Sequence, residues 1–343
     1  MPAKPLTMQQ KRATRIARED TVTTNLIRFE AGNGPRWGVV TGSAIAPLAG
    51  DYPTTAALIE RGEADWRAAR GDAARLALES VKILSPVTTP SRLYCQGANY
   101  RQHMIESGMD PDAKLFNMFF TKADASVCSA QAAVTCPAHV KLLDYEIELA
   151  LVFRRPISSP TTVTHETLAD YIFAIAIAND LSARDVQLPQ TQFFKGKSYR
   201  GFCPIGPWLT VLEHEEFSRI DDLALELDVN GVARQRDTTA NLVFKPPETI
   251  TELSTFADIA PGDLLLTGTP SGCALRVPPP PVRRLLQVLP ERVLWKLFLK
   301  GQARRPQYLK PGDRITARIR SRDGAIDLGE QTTAIVAPRA VRS

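Results

Sequence analysis

The chain contains no CxxC pair, no apolar run approaching 18 residues, no GxGxxG and no GxxxxGK[ST]. Each absence removes a class of protein. Five cysteines (Cys95, Cys128, Cys136, Cys203 and Cys273) are odd in number and lack zinc spacing, so they read as reduced thiols of a cytoplasmic protein. Without a long apolar run there is no membrane span to expect. Gly196-Lys197-Ser198 has the tail of a phosphate loop, but the preceding TQFFK carries no upstream glycine, so a nucleotide cofactor has no support. There is no zinc-finger spacing, basic region with heptads or aromatic RNA-binding signature, and a formal net charge of +5 over 343 residues is mild; nucleic acid is not an expected partner. The first 18 residues hold Lys4, Lys11, Arg12, Arg15 and Arg18 and no acid, yet lack the apolar core of a signal peptide; a short helix or frayed tail is the expectation.

What the chain does have is an ordinary globular balance, 44% hydrophobic and 23% charged, in a length sufficient for a large core and a smaller domain. Segments 21–30 and 37–42 read as strands, and 54–62 and 73–81 as helices. Together they suggest a small N-terminal α/β domain over 1–88, with the Pro-containing stretch 85–92 as its linker. From 89 to 340 the pattern is mainly β. Segment 141–153 is a strand, and 169–180 is a strand or a buried helix. Segment 223–235 is a hairpin turning at Asn230-Gly231, 263–272 a strand running into a Gly-rich turn, and 313–336 further strands around Asp323-Gly324. The segment 282–301 has helical apolar spacing interrupted by Pro290. It is expected to pack on the body or a partner, with a membrane-surface or substrate-covering role as alternatives.

Glu146 and Glu148 carry the first chemical signal. Residues i and i+2 of a strand project from one face, and two carboxylates side by side in apolar surroundings repel each other and resist desolvation. A hard divalent cation relieves both problems. On spacing alone, a solvated edge-strand face is the simpler reading. Asp180, at the end of the apolar run AIAIAND, supplies a third carboxylate. Arg184 reads as a structural partner of Asp185 or another acid. His103 precedes Glu106 by three positions, so in a helical turn the carboxylate can orient the imidazole as a general base; a surface contact is the plainer alternative. Lys197, among Phe193, Phe194 and Tyr199, is a candidate for meeting a substrate carboxylate. Thr267 to Gly272 can present amides and hydroxyls to an oxyanion, and Lys122 is a weaker anion-binding candidate.

In order and density these motifs resemble the fumarylacetoacetate hydrolase family, in particular its bacterial acylpyruvate hydrolase-type branch. The resemblance rests on Tyr94 to Tyr100 with His103 and Glu106, Tyr145 to Ala150, Asn179 to Asp185, Gly196 to Ser198, Gly201 to Trp208 and Leu266 to Gly272. It implies a mixed β-roll, mainly β with α/β elements, assembled as a homodimer. Glu146, Glu148 and Asp180 would hold magnesium or manganese, with calcium a further candidate. His103 and Glu106 would activate water, Lys197 would bind substrate oxygens, and Thr269 with Gly268 would hold a carboxylate or enolate. Gln187 falls in the stretch implied to lie near the pocket mouth. Gln96 stands where some members place a fourth acidic ligand, and residues 273–310 form an insertion that most branch members lack. The implied reaction is hydrolytic C–C cleavage of an acylpyruvate or related 1,3-dicarbonyl, as in aromatic-compound breakdown. The alternatives are decarboxylation of a 2-oxo diacid, tautomerisation of an unsaturated 2-oxo acid, or a noncatalytic metal-binding interaction protein.

Overall fold

The computed structural model describes residues 23–32, 34–72, 76–113, 116–277 and 290–338. The basic N-terminal segment and residues 282–289 of the predicted helix lie outside them. The principal elements, in order, are β1 (Thr24–Glu30), β2 (Pro35–Thr41), β3 (Ala44–Pro47), α1 (Thr55–Arg61), α2 (Glu63–Ala69), β4 (Leu93–Gly97), α3 (Arg101–Glu106), β5 (Met118–Lys122), β6 (Ile147–Phe153) and β7 (Ile172–Asn179). These are followed by α4 (Arg184–Gln190), α5 (Phe193–Lys197), β8 (Trp208–Val211), β9 (Leu223–Val229), β10 (Val232–Thr238), α6 (Pro246–Leu253), β11 (Leu264–Leu266), α7 (Glu291–Gln302), β12 (Arg314–Ser321) and β13 (Asp327–Val336).

The fold is mostly sheet, as its sequence pattern predicts. One large sheet runs β3-β2-β1-β8-β7-β6-β11-β4-β5, and a second contains β10-β9-β12-β13. The N-terminal strands continue the large sheet through the β1–β8 pairing, so they close no sheet of their own. Every residue of β6 and β7 is buried, which explains their unbroken apolar runs. The two faces of β6 enter different cores. Ile147, Leu149, Leu151 and Phe153 pack with Leu225, Leu227, Ala317 and Ile319 of the second sheet. Ala150 and Val152 join the cluster of Trp37, Leu58 and Trp66 from the N-terminal segment. Phe153 is fully buried, so Phe153→Ala is expected to lose about 3–5 kcal/mol of stability in equilibrium denaturation.

The hairpin turns where expected, with Asn230 at φ 53° and Gly231 at φ 75°, the left-handed pair of a two-residue turn. The 169–180 ambiguity resolves into one helical turn, Leu168–Tyr171, followed by β7. The helix expected over 73–81 does not form across the described part of that segment. Leu76–Ala77 pair with β3, and Leu78–Ser80 make a single 3-10 turn. Leu76, Leu78 and Val81 pack on the small cluster of Ile27, Phe29 and Ile45, and a short isolated helix has too few residues to compete with that edge pairing. Of the helical segment expected over 282–301, the part after Pro290 forms α7, which starts immediately after that proline. Among the described residues, no helix is long and apolar enough to cross a membrane.

Candidate metal centre and pocket

Four chain ends meet at one end of the large sheet: the start of β6 and the ends of β4, β7 and β11. The register Ile147↔Asn179 sets Glu146 beside Asp180. The Asp180 amide donates to the Glu146 carbonyl at 2.8 Å, and the Glu146 amide to Asn179 Oδ1 at 3.0 Å. Glu146, Glu148 and Asp180 are all buried, and one oxygen from each lies within 4.8 Å of the others.

Cations surround this cluster. Lys197 Nζ donates to Glu146 Oε2 at 2.6 Å and to Asp180, and it lies 5.0 Å from the centre of the Phe120 ring. Arg184 is more than a loop fastener. It donates to Glu146, to Asp144 Oδ2 at 2.9 Å and to Gln187 Oε1 at 2.9 Å. Asp185 instead accepts from the Lys141 amide. Lys122 corrects another expectation. Its ammonium is wholly buried behind the cluster, donating to Asp180 Oδ1 at 2.5 Å and to the Phe202 carbonyl at 3.1 Å, so it orients a carboxylate and does not face an incoming anion.

A pocket of about 300 Å³ opens on the cluster, lined among others by His103, Glu146, Glu148, Lys197, Gln187 and Thr269. Gly268 sits behind this lining and donates its amide to Glu148 Oε2 at 2.8 Å. Thr269 Oγ1 donates to the Ile147 carbonyl at 3.0 Å. Gln96 also lines the pocket, its amide nitrogen held by Asn117 Oδ1 and Thr249 Oγ1. His103 lies on α3, as the helical-turn reading requires. Glu106, on the same helix, pairs with Arg276 and accepts from the Gly272 amide at 3.3 Å. Among the described residues, no hydrogen bond joins Glu106 to the imidazole.

Two further site residues were not singled out from sequence. Asp144 gathers Arg184 and the amides of Ala274 (2.7 Å) and Leu275 (3.0 Å). Its signal was present, since Asp144, Glu146 and Glu148 alternate through one strand-like run. Gln235 is fully buried. It accepts from the Ile147 amide at 3.0 Å and donates to Thr269 Oγ1 at 2.8 Å, fixing the turn against β6. A lone glutamine in a hairpin strand gives no warning of that role.

The carboxylates titrate in opposite directions. Burial would push Glu146 up, but Arg184, Lys197 and His103 outweigh it and hold the group at about 2. Burial raises Glu148 well above the usual glutamate range; the negative charges of Asp180 and Glu146 add to this, and Lys197 and the Gly268 amide only partly offset it. Burial disfavours the charged lysine, yet Asp180 and Glu146 keep Lys197 above its ordinary value. Burial lowers His103, with Glu146 opposing, so the imidazole is neutral near pH 7.

The donor set therefore fits a divalent cation. It offers oxygen ligands only, in a buried cluster where one carboxyl is held back from ionising by burial and by the charge of its neighbours. Magnesium and manganese match such a set, as does calcium.

A family model described as fumarylacetoacetate (FAA) hydrolase C-terminal matches residues 92–336, and an Rv2993c-like N-terminal model matches 25–86. An oxaloacetate tautomerase, YisK of Bacillus subtilis, is 38% identical over 207 residues, 60% of this chain and 67% of that protein. An uncharacterized Staphylococcus aureus protein is 32% identical over 209 residues, 60% of this chain and 66% of its own. The match thus spans about two thirds of these relatives' length. A fumarylacetoacetate hydrolase from Exiguobacterium antarcticum superposes with a TM-score of 0.71 at 28% identity, covering 92% of this chain and 100% of that one. A 2-hydroxyhepta-2,4-diene-1,7-dioate isomerase from Mycobacterium marinum shares the fold, with a TM-score of 0.65 at 21% identity over 92% of this chain and 99% of that one.

Proposed function

The chain belongs to the fumarylacetoacetate hydrolase family, and from that premise we propose that it is a divalent-metal-dependent enzyme that enolises a small 2-oxo acid. One arrangement carries the reading: a buried three-carboxylate cluster and a neutral imidazole share one pocket, while Glu106 is engaged by Arg276 instead of by His103. When bound, a divalent ion supplies the positive charge that acidifies the carbon beside a ketone. Glu146, Glu148 and Asp180 would hold it. His103 would take a proton from that carbon. The C–H electron pair becomes the carbon–carbon double bond of the enol, the displaced carbonyl pair becomes its oxyanion, and the proton held by His103 would pass to that oxygen, which restores the neutral imidazole. Lys197 and Thr269 would bind substrate oxygens, and Phe120 would shield the lysine from water. The likeness to an oxaloacetate tautomerase supports our preference for keto–enol interconversion over the C–C hydrolysis implied by the sequence motifs.

Hydrolysis stands as the second reading, favoured by Glu106 lying on the same helix as His103 and by the likeness to the Exiguobacterium hydrolase. In it, Glu106 turns to His103, which deprotonates water for attack on the distal carbonyl. An ultraviolet assay with oxaloacetate and acylpyruvates, with and without magnesium or manganese, separates the readings. Metal-dependent keto–enol exchange without new acids is expected. Two acid products mean hydrolysis, and released carbon dioxide means decarboxylation. No turnover across the panel leaves a noncatalytic metal-binding scaffold. The homodimer belongs to the same proposal and is tested by sedimentation.

The electrostatics give a prediction independent of substrate. Burial, with the charges of Asp180 and Glu146, favours the protonated form of Glu148, and the group must be ionised to serve as a ligand. Calorimetric titration with magnesium over a series of pH values, in two buffers of different ionisation enthalpy, should report proton release on binding that grows as pH is lowered. Affinity should fall as pH is lowered. Binding without proton release, and with no pH dependence, contradicts the assignment of Glu148.

A further inference from the structure

We propose that Arg276 is the residue that recognises a second, distal carboxylate on the substrate, and that Glu106 occupies its place in the free protein. The inference rests on the reading of the pocket as a 2-oxo acid site and narrows the substrate class to 2-oxo diacids.

Lys197 and Arg184 line the pocket, but both donate to Glu146, and Lys122 is buried behind Asp180. Their charge is balanced by the carboxylate cluster, at the end of the pocket where Lys197 would meet the oxygens of the 2-oxo group. Arg276 differs. It lies between Leu275 and Val277, two residues that line the pocket, and its side chain is 39% exposed. Its carboxylate partner, Glu106, is no member of the cluster and is itself 23% exposed. Glu106 sits on α3 between His103 and Ser107, both of which line the pocket. The ion pair therefore lies beside the pocket, on the side of the imidazole.

The backbone beneath Arg276 is fixed. Asp144 accepts the amides of Ala274 and Leu275. Gln302, buried at the end of α7, donates to the Arg276 carbonyl at 2.7 Å and accepts from its amide at 3.4 Å, with Tyr308 holding the same side-chain oxygen at 2.8 Å. The backbone that carries this guanidinium is tied to the cluster side, while the Glu106 carboxylate, partly exposed, also accepts the Gly272 amide at 3.3 Å. A substrate carboxylate can replace Glu106 without leaving the guanidinium unpaired. A neutral tail offers no such exchange and leaves the pair closed. The exchange also frees Glu106 beside His103.

The test compares 2-oxobutanedioate with 2-oxobutanoate, which differ by a carboxylate in place of a methyl group. Exchange of the C3 protons into deuterated water, followed by NMR, gives kcat/KM for each. Arg276→Gln should lower the diacid-to-monoacid ratio by about 10- to 100-fold, the range of a charge-assisted hydrogen bond. Glu106→Gln should raise the ratio by about 2- to 5-fold, because it removes an internal competitor of surface-pair strength. General damage to the fold would not move the two variants in opposite directions. Dissociation constants of the unreactive analogues 2-hydroxybutanedioate and 2-hydroxybutanoate, measured calorimetrically on the metal-free protein, should shift with the same signs. Equal changes for diacid and monoacid in Arg276→Gln, or a lowered ratio in Glu106→Gln, overturn the inference. If the unaltered protein exchanges neither substrate in the presence of metal, it is the 2-oxo acid reading that fails, and the binding ratios still decide the role of Arg276.

Discussion

Replacing Glu148 with alanine or glutamine is expected to abolish stoichiometric divalent-ion binding and to lower turnover by about 1,000-fold, the scale on which several kcal/mol of charge stabilisation acts. Glu148 is buried, and its Oε2 accepts the Gly268 amide, so the turn beyond β11 loses an anchor in the alanine variant but keeps an acceptor in the glutamine variant. The glutamine form therefore isolates the charge. Its stability should depart from that of the native protein in a definite direction. A carboxyl raised above its ordinary value near 4.5 favours the folded state fully below that value, and the contribution is lost as pH rises through the folded-state value. The metal-free native protein should accordingly lose stability with rising pH through this group, and Glu148→Gln should not. Elemental analysis for bound metal and thermal denaturation across pH read the two effects separately. A glutamine variant that retains both its metal and full activity would remove Glu148 from the ligand set.

His103→Ala should leave metal binding intact and reduce enolisation by about 100- to 10,000-fold, the usual contribution of a positioned general base. The base acts when unprotonated, and burial holds the imidazole below its ordinary 6.5. In the native protein, kcat/KM should fall as pH is lowered through that depressed value and stay level above it. This acid limb should be missing from whatever activity the variant retains. Full activity with an unchanged profile would assign the proton transfer to another group.

Much of this site is written into local pattern. Glu146, Glu148 and Asp180 are legible because each interrupts or ends a run that is otherwise apolar, and a charge inside such a run needs a physical reason. The hairpin at Asn230-Gly231 is legible because only a few residue types tolerate two successive left-handed conformations. Other features depend on distance in space. Arg184 reads as a partner of Asp185 or another acid, and only the fold brings Asp144 and Glu146 to it across 40 and 38 positions. Lys122 looks like a free cation until Asp180 arrives 58 positions later. The segment around Leu76 has helical spacing, but a sheet edge at Ala44–Ile45 claims it, and no local propensity records that edge. Arg276 is the extreme case. It stands in the insertion outside the family's motifs, and only the fold brings it to Glu106.

That insertion leaves and re-enters the body through neighbouring points. Gln302 is bonded to Arg276, Arg305 Nε donates to the Ala274 carbonyl at 2.9 Å, and the Leu309 amide donates to the Leu143 carbonyl at 2.8 Å. Because the two stems are tied to each other and to Asp144, a change in length between them need not be transmitted to β6. Loop-closure entropy rises only slowly with length when the ends are already fixed. The insertion is thus a natural graft point, where segments can be exchanged between the tied stems while the carboxylate cluster keeps its geometry.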